Sequence, residues 1–366
     1  MGKSLGIINK LQSLNIKCYK TDRFNLDNEL MEPYQDDTGI YNIIRPHESN
    51  NKNKEFFINI PQRGYYSLFK YFLDGSRYTY KIADMQTADG EYMPIIAGQI
   101  GTAICSRNAE TGKMKKELLK RKNLIALYSH INEEDYIDIK KIIESCSINN
   151  VGFYPIKYNI STAKSKERPE NAAIAKILSQ MHDMEIAALE EMVTNRKLGS
   201  DRMLILDGSL QFLEDNINDE LFTFVIGISK SFNPNQRGMF NAKEIHIASA
   251  LTQLKYGQRT PVLKHEIKGC NRVIGTWYLR IRPERLVRNP LDGIIKVEKI
   301  AVNEEERELG FDTDMINTIS QALLCERNST CHGRDSRWCN HLYPIYLTEK
   351  MLKESFLNEK IFLNII

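Results

Sequence analysis

Two aspartates in this chain each end an apolar run and precede Gly-Ser, a pattern whose residue types could do chemistry. The run YFLDGS contains Asp74, and the run LILDGS contains Asp207. We expect each run to be a strand that stops at the Asp-Gly dipeptide, because it is rich in apolar and aromatic residues. Open α/β sheets bind ligands at their strand ends, so adjacent strands would bring the two carboxylates together. Close carboxylates repel one another, and a divalent cation relieves that repulsion.

Asp-Gly is also a common turn dipeptide, so the alternative is that both aspartates only shape turns. A third copy, LDGI at 291–294, follows Asn289-Pro290 and has no strand before it. We interpret this third copy as a plain turn. The two other copies each follow a buried-looking strand and each precede a serine, which favours a chemical role for the pair.

A helical pattern that begins at Pro169 and ends at Gly199 offers a third carboxylate. One face of this helix carries Met181, Glu185, Ala188, Leu189 and Met192. Glu185 is the one acid in this apolar stripe, and a lone acid there is costly unless it is paired or bound to a metal. Glu185 is therefore the candidate third ligand, with Glu190 in reserve. The alternative is a partly exposed Glu185 at the edge of the stripe.

Two strand-end aspartates and a helical glutamate would make an all-oxygen site, which suits Mg²⁺ or Mn²⁺ rather than zinc. On the rim of a sheet, such a site is typical of metal-assisted phosphodiester hydrolysis. Lys230 ends its own apolar strand and could bind the scissile phosphate. The alternative for Lys230 is a strand-end lysine whose ammonium group lies in solvent.

The elements that must position these residues form a mixed pattern. Predicted strands cover 68–74, 77–85, 93–105, 151–160, 202–208, 220–230, 275–282 and 294–302. Predicted helical regions are the charged stretch 107–148, the pattern from Pro169, a segment after Asn241 and residues 303–327. Early strands followed by alternating helices and buried strands predict an α/β fold, with a mixed sheet covered by helices on both faces.

Composition indicates an ordinary globular chain. Its 366 residues are 42% hydrophobic and 27% charged, with a net charge of +3. That charge is too small to argue nucleic-acid binding by itself. No apolar run reaches the roughly 18–20 residues that a membrane span needs, and the N-terminus lacks a signal-peptide core. Seven scattered cysteines are typical of reduced thiols. We expect a soluble, cytoplasmic protein with no membrane contact.

Taken together, these motifs resemble the NurA nucleases, which have an RNase H-like core. The matching motifs, in order, are Asp74-Gly75-Ser76, a helical acid, Asp207-Gly208-Ser209-Leu210, Gly227-Ile228-Ser229-Lys230 and Tyr343-Pro344-Ile345-Tyr346-Leu347. The segments WYLRIRP and KVEKI also look similar to longer bacterial members. On this resemblance, residues 66–366 form a NurA-like nuclease domain with helical insertions, after an N-terminal extension over 1–65.

The resemblance implies a DNA nuclease that depends on Mn²⁺ or Mg²⁺, with Asp74, Asp207 and Glu185 as the metal ligands. It also implies a homodimer that docks on a hexameric HerA-type ATPase and serves DNA end processing, as in repair, or antiphage defence. The chain itself has no P-loop, so ATPase activity would come from the partner. A catalytically silent RNase H-like adaptor that binds DNA or a motor, and an RNase H-like enzyme that acts alone, are the alternatives.

The resemblance breaks down after Tyr343-Pro344. Family members often place Ala-His there, whereas residues 348–352 read TEKML. The fourth active-site residue therefore stays open among Lys350, Tyr343 and His341, and Lys350 could hold the phosphate.

Two further constellations stay open. Residues 325–341 contain cysteines and histidines but no C-x₂₋₄-C pair, which favours an arginine-bearing loop over a zinc site. The basic run 113–122 fits either a DNA-backbone contact or a solvated helical face.

Overall fold

The computed structural model of the chain describes residues 6–14, 16–26, 45–49, 56–61, 67–87, 89–148, 151–160, 168–211, 217–240, 243–266, 272–326 and 339–366. Helices in these ranges are α1 (Ile7–Ser13), α2 (Glu133–Glu144), α3 (Pro169–Thr194), α4 (Ile247–Leu251), α5 (Glu304–Glu308), α6 (Thr313–Cys325), α7 (Tyr343–Glu354) and α8 (Glu359–Ile365).

Strands are more numerous than helices. They are β1 (Cys18–Asn25), β2 (Arg45–Pro46), β3 (Ile58–Asn59), β4 (Phe69–Gln86), β5 (Tyr92–Arg107), β6 (Met114–Tyr128), β7 (Ser147–Ile148), β8 (Val151–Tyr158), β9 (Met203–Asp207), β10 (Val225–Ser229), β11 (Arg237–Phe240), β12 (Lys243–His246), β13 (Gln258–Arg259), β14 (Leu263–Glu266), β15 (Val273–Arg280) and β16 (Ile294–Ile300).

Most of these strands form one large mixed sheet, in the order β2-β14-β15-β16-β10-β9-β4-β5-β6-β8-β7. Strand β9 runs parallel to both β4 and β10, and β8 runs parallel to β6. The β4-β5-β6 segment is an antiparallel meander, and β10-β16-β15 is antiparallel as well. The prediction of an α/β fold with a large mixed sheet flanked by helices is confirmed.

Helices cover both faces of the sheet, as hydrophobic contacts on the two sides show. A Cβ atom on Gly98 of β5 would lie 3.0 Å from Ile177 of α3, whereas one on Gly101 would lie 2.9 Å from Leu352 of α7. Positions three apart on a strand point to opposite faces, so α3 and α7 lie on opposite sides of β5. Helix α6 packs on the same core as α7, against Trp277 and neighbouring strand residues.

The strand that was expected to stop at Asp74 continues to Gln86, so that boundary was wrong. Gly75 and Ser76 stay in regular antiparallel register with Thr102 and Gly101 of β5, and no turn forms there. What ends at this point is the pairing with β9, whose last register pair is Leu73 with Leu206. Further along the same edge, β4 pairs with β1. The carboxylate therefore lies where β4 changes its neighbour.

Three other boundaries differ from the sequence-based expectation. The basic run in 113–122 belongs to strand β6 and not to a helix, because its partner β5 is almost wholly buried and needs a strand on that side. The segment after Asn241 begins with β12, and only α4 is helical. Residues 303–327 break into α5 and α6 at Gly310, whose φ is +93°.

Two expectations about single elements are confirmed. Helix α3 begins at Pro169, and its stripe from Met181 to Met192 is buried. Residues 291–293 form a turn, with Gly293 at a φ of +77°.

The described parts of residues 1–65 supply the helix α1 and the strands β1, β2 and β3. These three strands join the large sheet. Across the ranges given above, no helix combines the length and apolar character needed to cross a membrane.

Candidate metal centre

Asp74 and Asp207 lie side by side, as their shared sequence pattern predicts. The pair occupies the register positions that follow the last paired residues of β4 and β9, Leu73 and Leu206. In a strand, alternate side chains point to opposite faces. Leu73 and Leu206 pack on the face of α3, so the two aspartates point to the face of α7.

A third carboxylate, from Glu349 of α7, completes the cluster. One oxygen each from Asp74, Asp207 and Glu349 lies within 4.8 Å of the other two. Within the part of the chain that the structure describes, this is the one group of acidic, histidine or cysteine ligands found at metal-binding spacing. The three carboxylates offer only oxygen atoms, which are the ligands that Mg²⁺ and Mn²⁺ prefer.

Helix α7 aims Glu349 at the sheet. The helix starts with Pro344 in its first turn, and it buries Ile345, Thr348 and Leu352 against the sheet. Glu349 flanks this buried stripe, so its side chain is only 23% exposed. Lys353, one turn further along, holds Glu349 through an ion pair of 2.6 Å.

Lys230 lies among the acids, directly after β10. Its Nζ is 2.8 Å from Asp207 Oδ2 and 3.6 Å from Glu349 Oε2. The side chain is only 14% exposed, so its ammonium group points into the cluster and not into solvent. Because β10 lies next to β9 in parallel register, the residue after β10 reaches the residue that ends β9.

His341 adds a fifth group at the same place. Its Nε2 lies 3.0 Å from Lys230 Nζ and 3.7 Å from Glu349 Oε2. The side chain is buried, and it precedes α7 by two residues. His341 was one of the three candidates for a fourth active-site residue, and it contacts Lys230 and Glu349 of the cluster.

Burial and mutual repulsion set the ionisation of the cluster. Burial raises the pKa of Asp74 well above its ordinary value, and the charge of Asp207 raises it further, against the opposing effect of Lys230. Burial also disfavours the charged form of Glu349, but Lys230 and Lys353 outweigh it and bring the pKa of Glu349 to about 2. Burial opposes the charge of Lys230, yet the surrounding acids raise its pKa.

One oxygen of Asp74 has no partner. Asp74 is 4% exposed, and its Oδ2 accepts no hydrogen bond from the described residues. A buried carboxylate oxygen without a partner carries a desolvation cost, which a cation would remove.

Glu185, the predicted third ligand, lies across β4 from this cluster. A Cβ atom on Gly75 would lie 2.1 Å from Glu185 Oε1, so the carboxylate rests on the backbone next to Asp74, on the face of α3. There Glu185 is 2% exposed and contacts His182 Nδ1 at 2.8 Å. Its charge still reaches Asp74 and contributes to the raised pKa there. The structure thus places Glu185 close to Asp74 but outside the three-acid group.

The remaining candidates lie elsewhere. Glu190 is exposed on α3. Lys350 has a side chain 56% exposed and lies 3.8 Å from Glu354. Tyr343 is half-buried at the start of α7, with its ring 6.3 Å from that of Tyr346. Glu190 and Lys350 are thus exposed, whereas Asp74 of the cluster is buried.

The Cys/His stretch is only partly described. Cys325, Cys339 and His341 lie in the described ranges, whereas Cys331, His332 and both arginines of the loop lie outside them. Neither described cysteine belongs to the ligand group found above. In the basic run, Lys120 forms an ion pair of 2.6 Å with Glu191 of α3.

Sequence reasoning missed Glu349, although a signal for it exists. Ile345, Glu349 and Leu352 have the i, i+4, i+7 spacing of one helical face, which is the same pattern that singled out Glu185. Residues 348–352 contain this glutamate where the family pattern places a histidine.

No family model matches the chain, and no curated protein matches it either.

Proposed function

We propose that this protein is a metal-dependent nuclease that hydrolyses phosphodiester bonds of DNA. The observation that carries the proposal is the meeting of Asp74, Asp207 and Glu349 within 4.8 Å, at the point where the parallel pairing of two strands ends. Lys230 lies beside them and supplies a positive charge for a phosphate.

The residues fit a divalent cation. Metal–oxygen distances of roughly 2.0–2.6 Å let one ion bridge oxygens that are about 4–5 Å apart. Asp74 Oδ2 is a buried acceptor without a hydrogen-bond partner among the described residues, and such an ion would satisfy it. We propose Asp74, Asp207 and Glu349 as the ligands of Mn²⁺ or Mg²⁺, with Glu185 next to them behind Gly75.

A bound ion of this kind would supply an activated water and stabilise the leaving oxygen of the phosphodiester. The side chains of the protein contribute orientation and charge. Lys230 is anchored by Asp207, so its ammonium group is held where a substrate phosphate would approach the acids. His341 contacts Lys230 at 3.0 Å and helps to hold its ammonium group beside the acids.

The sheet order supports the RNase H-like core that the NurA resemblance implies. The five strands β6-β5-β4-β9-β10 form an antiparallel meander joined to two parallel strands. The first strand of the meander and the first parallel strand each carry one aspartate. Helix α3 connects the two halves and packs on the sheet. We propose that these elements are the nuclease core.

The proposed partners follow from the same resemblance. We propose DNA as the substrate, a homodimer as the working form and a HerA-type hexameric ATPase as the motor that delivers DNA, in end processing or antiphage defence. Copurification of the chain with such an ATPase, and the mass of the free chain by ultracentrifugation, test these two assemblies separately.

The central test is cleavage of DNA in the presence of Mn²⁺ by the wild type, Asp74→Asn and Asp207→Asn. We expect each substitution to reduce cleavage at least about 100-fold, because each removes a charged ligand of the ion. Asp201→Asn is the matched control, since Asp201 is 68% exposed and lies outside the cluster.

Unchanged cleavage in both cluster variants would refute the proposed site. Wild-type protein that binds DNA or the motor but never cleaves DNA, with Mn²⁺ present and the ATPase added, would instead support the silent adaptor.

A further inference from the structure

The turn that follows Asp207 crosses from one face of the sheet to the other. Gly208 has a φ of +131°, a backbone conformation that residues with a Cβ atom rarely adopt. Its N–H donates to the carbonyl of Ile228 at 2.8 Å, which ties the turn to β10. After this turn, Ser209, Leu210 and Gln211 lie over the face of the sheet opposite the three-acid cluster.

A buried glutamate of β16 binds this turn. Glu298 Oε2 accepts the Leu210 N–H at 2.6 Å and the Ser209 hydroxyl at 2.9 Å. Glu298 Oε1 accepts the side-chain amide of Gln211 at 3.1 Å and lies 3.0 Å from Lys296 Nζ. Glu298 is 0% exposed, so each of these interactions is shielded from water.

Packing holds the same turn from a second direction. Leu210 is 0% exposed, and its side chain lies over Gly227 of β10. A Cβ atom at Gly227 would be 2.6 Å from Leu210 Cγ and 3.0 Å from the carbonyl oxygen of Gly208. Because Gly227 has no Cβ atom, the Leu210 side chain can pack directly on the backbone of β10. The motifs DGSL, GISK and KVEKI, which lie far apart in the sequence, meet at this one turn.

We propose that Glu298 is a positioning residue that fixes the turn after Asp207 and, through it, the Asp207 carboxylate in the metal centre. The inference rests on the proposed function, because it assigns Asp207 to metal binding. Asp207 is the last residue of β9, and on its C-terminal side the chain is held by the contacts of Gly208 to Gln211. Lys230 follows the same strand that carries Gly227, so the fixed turn also keeps Asp207 in reach of Lys230.

The charge of Glu298 matters as well as its shape. Four donor groups converge on its two oxygens, and a neutral amide at the same position would place an N–H against donors that already carry hydrogens. Glu298→Gln therefore keeps the volume of the side chain and removes one of its two acceptor atoms. Donors that lose their acceptor remain buried, which favours movement of the turn.

The test compares Glu298→Gln with wild type in two measurements. The first is amide hydrogen exchange at Leu210, which we expect to become at least about tenfold faster because the N–H loses a charged acceptor. The second is Mn²⁺ affinity by titration calorimetry, which we expect to fall about 10–100-fold, as when other residues that orient metal ligands are replaced. In cleavage assays, kcat should fall, whereas KM for DNA should stay within about twofold, since Glu298 contacts no substrate.

Glu48→Gln is the matched control for general destabilisation. Glu48 is a second buried carboxylate that accepts a backbone N–H, from Val262 at 3.0 Å, and pairs with Arg259 at 2.6 Å. It lies far from Asp207 in the sheet, beside β13 and β14. This control should lose stability and keep the Mn²⁺ affinity of the wild type. Ser209→Ala is the milder variant if Glu298→Gln does not fold. It removes one donor to Glu298 and leaves the Glu298 charge in place. It should also weaken Mn²⁺ binding.

The outcomes separate this inference from the proposed function. Wild-type Mn²⁺ affinity in Glu298→Gln, or in Ser209→Ala where only that variant folds, would overturn the positioning role. Unchanged amide hydrogen exchange at Leu210 in Glu298→Gln would contradict the inference that Glu298 fixes the turn. Wild-type protein that neither binds Mn²⁺ nor cleaves DNA would refute the proposed function, whereas exchange at Leu210 would still decide whether Glu298 fixes the turn.

Discussion

Glu349 and Glu185 are the two candidates for the third metal ligand. Their positions relative to the two aspartates distinguish them. Glu349 shares the α7 face with Asp74 and Asp207, and its oxygen lies within 4.8 Å of theirs. Glu185 approaches from α3 and is separated from that group by the backbone of Gly75. Both are acids in a mostly apolar helical stripe, so sequence spacing alone does not distinguish them.

We predict that Glu349→Gln weakens Mn²⁺ binding by more than about tenfold. Replacing a residue that only orients a metal ligand already lowers metal affinity about 10–100-fold, and Glu349 is itself a proposed ligand. Glu185→Gln should reduce Mn²⁺ affinity less than Glu349→Gln does, because Glu185 lies behind the backbone of Gly75. Titration calorimetry on both variants measures the difference. Lys350→Gln serves as the control, since Lys350 lies on the same helix and points to solvent. If Glu185→Gln lowered Mn²⁺ affinity more than Glu349→Gln did, Glu185 of α3 would be the third ligand instead.

Single residues were predictable where the local sequence defined their surroundings. Asp74 and Asp207 each follow an apolar strand, so their shared edge could be inferred from the DGS pattern. Glu349 and His341 could not be placed in this way, because α7 reaches the site through tertiary packing of Ile345 and Leu352. Glu298 is likewise a lone acid in a buried strand, and its partners at 209–211 are almost ninety positions away in sequence, as the separation of 89 for Ser209 shows.

At the scale of elements, the contact of α3 with β4 depends on Gly75. The Glu185 carboxylate and the Met181 side chain occupy the space where a larger residue would place its Cβ atom. Helix α3 can therefore approach β4 closely at the position that follows Asp74.

We predict that Gly75→Ala destabilises the protein by about 1–3 kcal/mol, the usual cost of adding atoms to a filled interior. The new methyl group would meet Glu185 Oε1 at 2.1 Å, and Glu185 is held by His182 at 2.8 Å. Urea unfolding measures the loss. The double variant Gly75→Ala/Glu185→Ala should recover part of it, because the second change removes the atoms in conflict. A double variant less stable than the sum of the two single changes would contradict this account of the contact.

Elements were predicted best where burial and periodicity agreed, as in α3 and β9. The basic run of β6 was wrongly predicted to be helical, because lysine and arginine favour helices in isolation. Pairing with β5 makes it a strand instead. Strand β4 was cut short in the prediction because Asp-Gly is a frequent turn. Cross-strand pairing of Gly75 with Thr102 keeps the backbone extended instead.

At the scale of the whole molecule, the proposed metal centre brings together parts of the chain that are distant in sequence. Its carboxylates come from β4, β9 and α7, with Lys230 from the end of β10 beside them, so a bound ion would connect two strands of the sheet to a helix packed on it. A ligand that binds only the folded chain stabilises it in proportion to the logarithm of its concentration.

We predict that Mn²⁺ at about 100 times its dissociation constant stabilises the fold by about 2.7 kcal/mol. With an unfolding entropy of about 2.1 cal/mol/K per residue, the melting temperature of this chain should rise by about 3 °C. Scanning calorimetry with and without Mn²⁺ measures the shift, and a chelator should reverse it. The Asp74→Asn/Asp207→Asn double variant should show no shift, and a shift equal to that of the wild type would place the ion elsewhere.

The global architecture could be predicted as a class but not in its strand order. Alternating helices and buried strands indicate a mixed sheet covered on both faces, and the structure confirms it. The pairing of β16 with β10, and that of β1 with β4, depend on contacts between distant parts of the chain that leave no periodic signal in the sequence.

The alternation of side chains along β4 sets a limit on how the length of this chain can vary. Asp74 reaches the proposed metal centre because it directly follows Leu73, whose side chain faces α3, and neighbouring residues of a strand point to opposite faces. One residue inserted between Tyr71 and Leu73 would turn the carboxylate toward α3, and two would keep its face but shift it about 6.6 Å along the strand. Homologous chains should therefore gain and lose residues in the loops around β4 and β9, and keep the spacing within these strands unchanged.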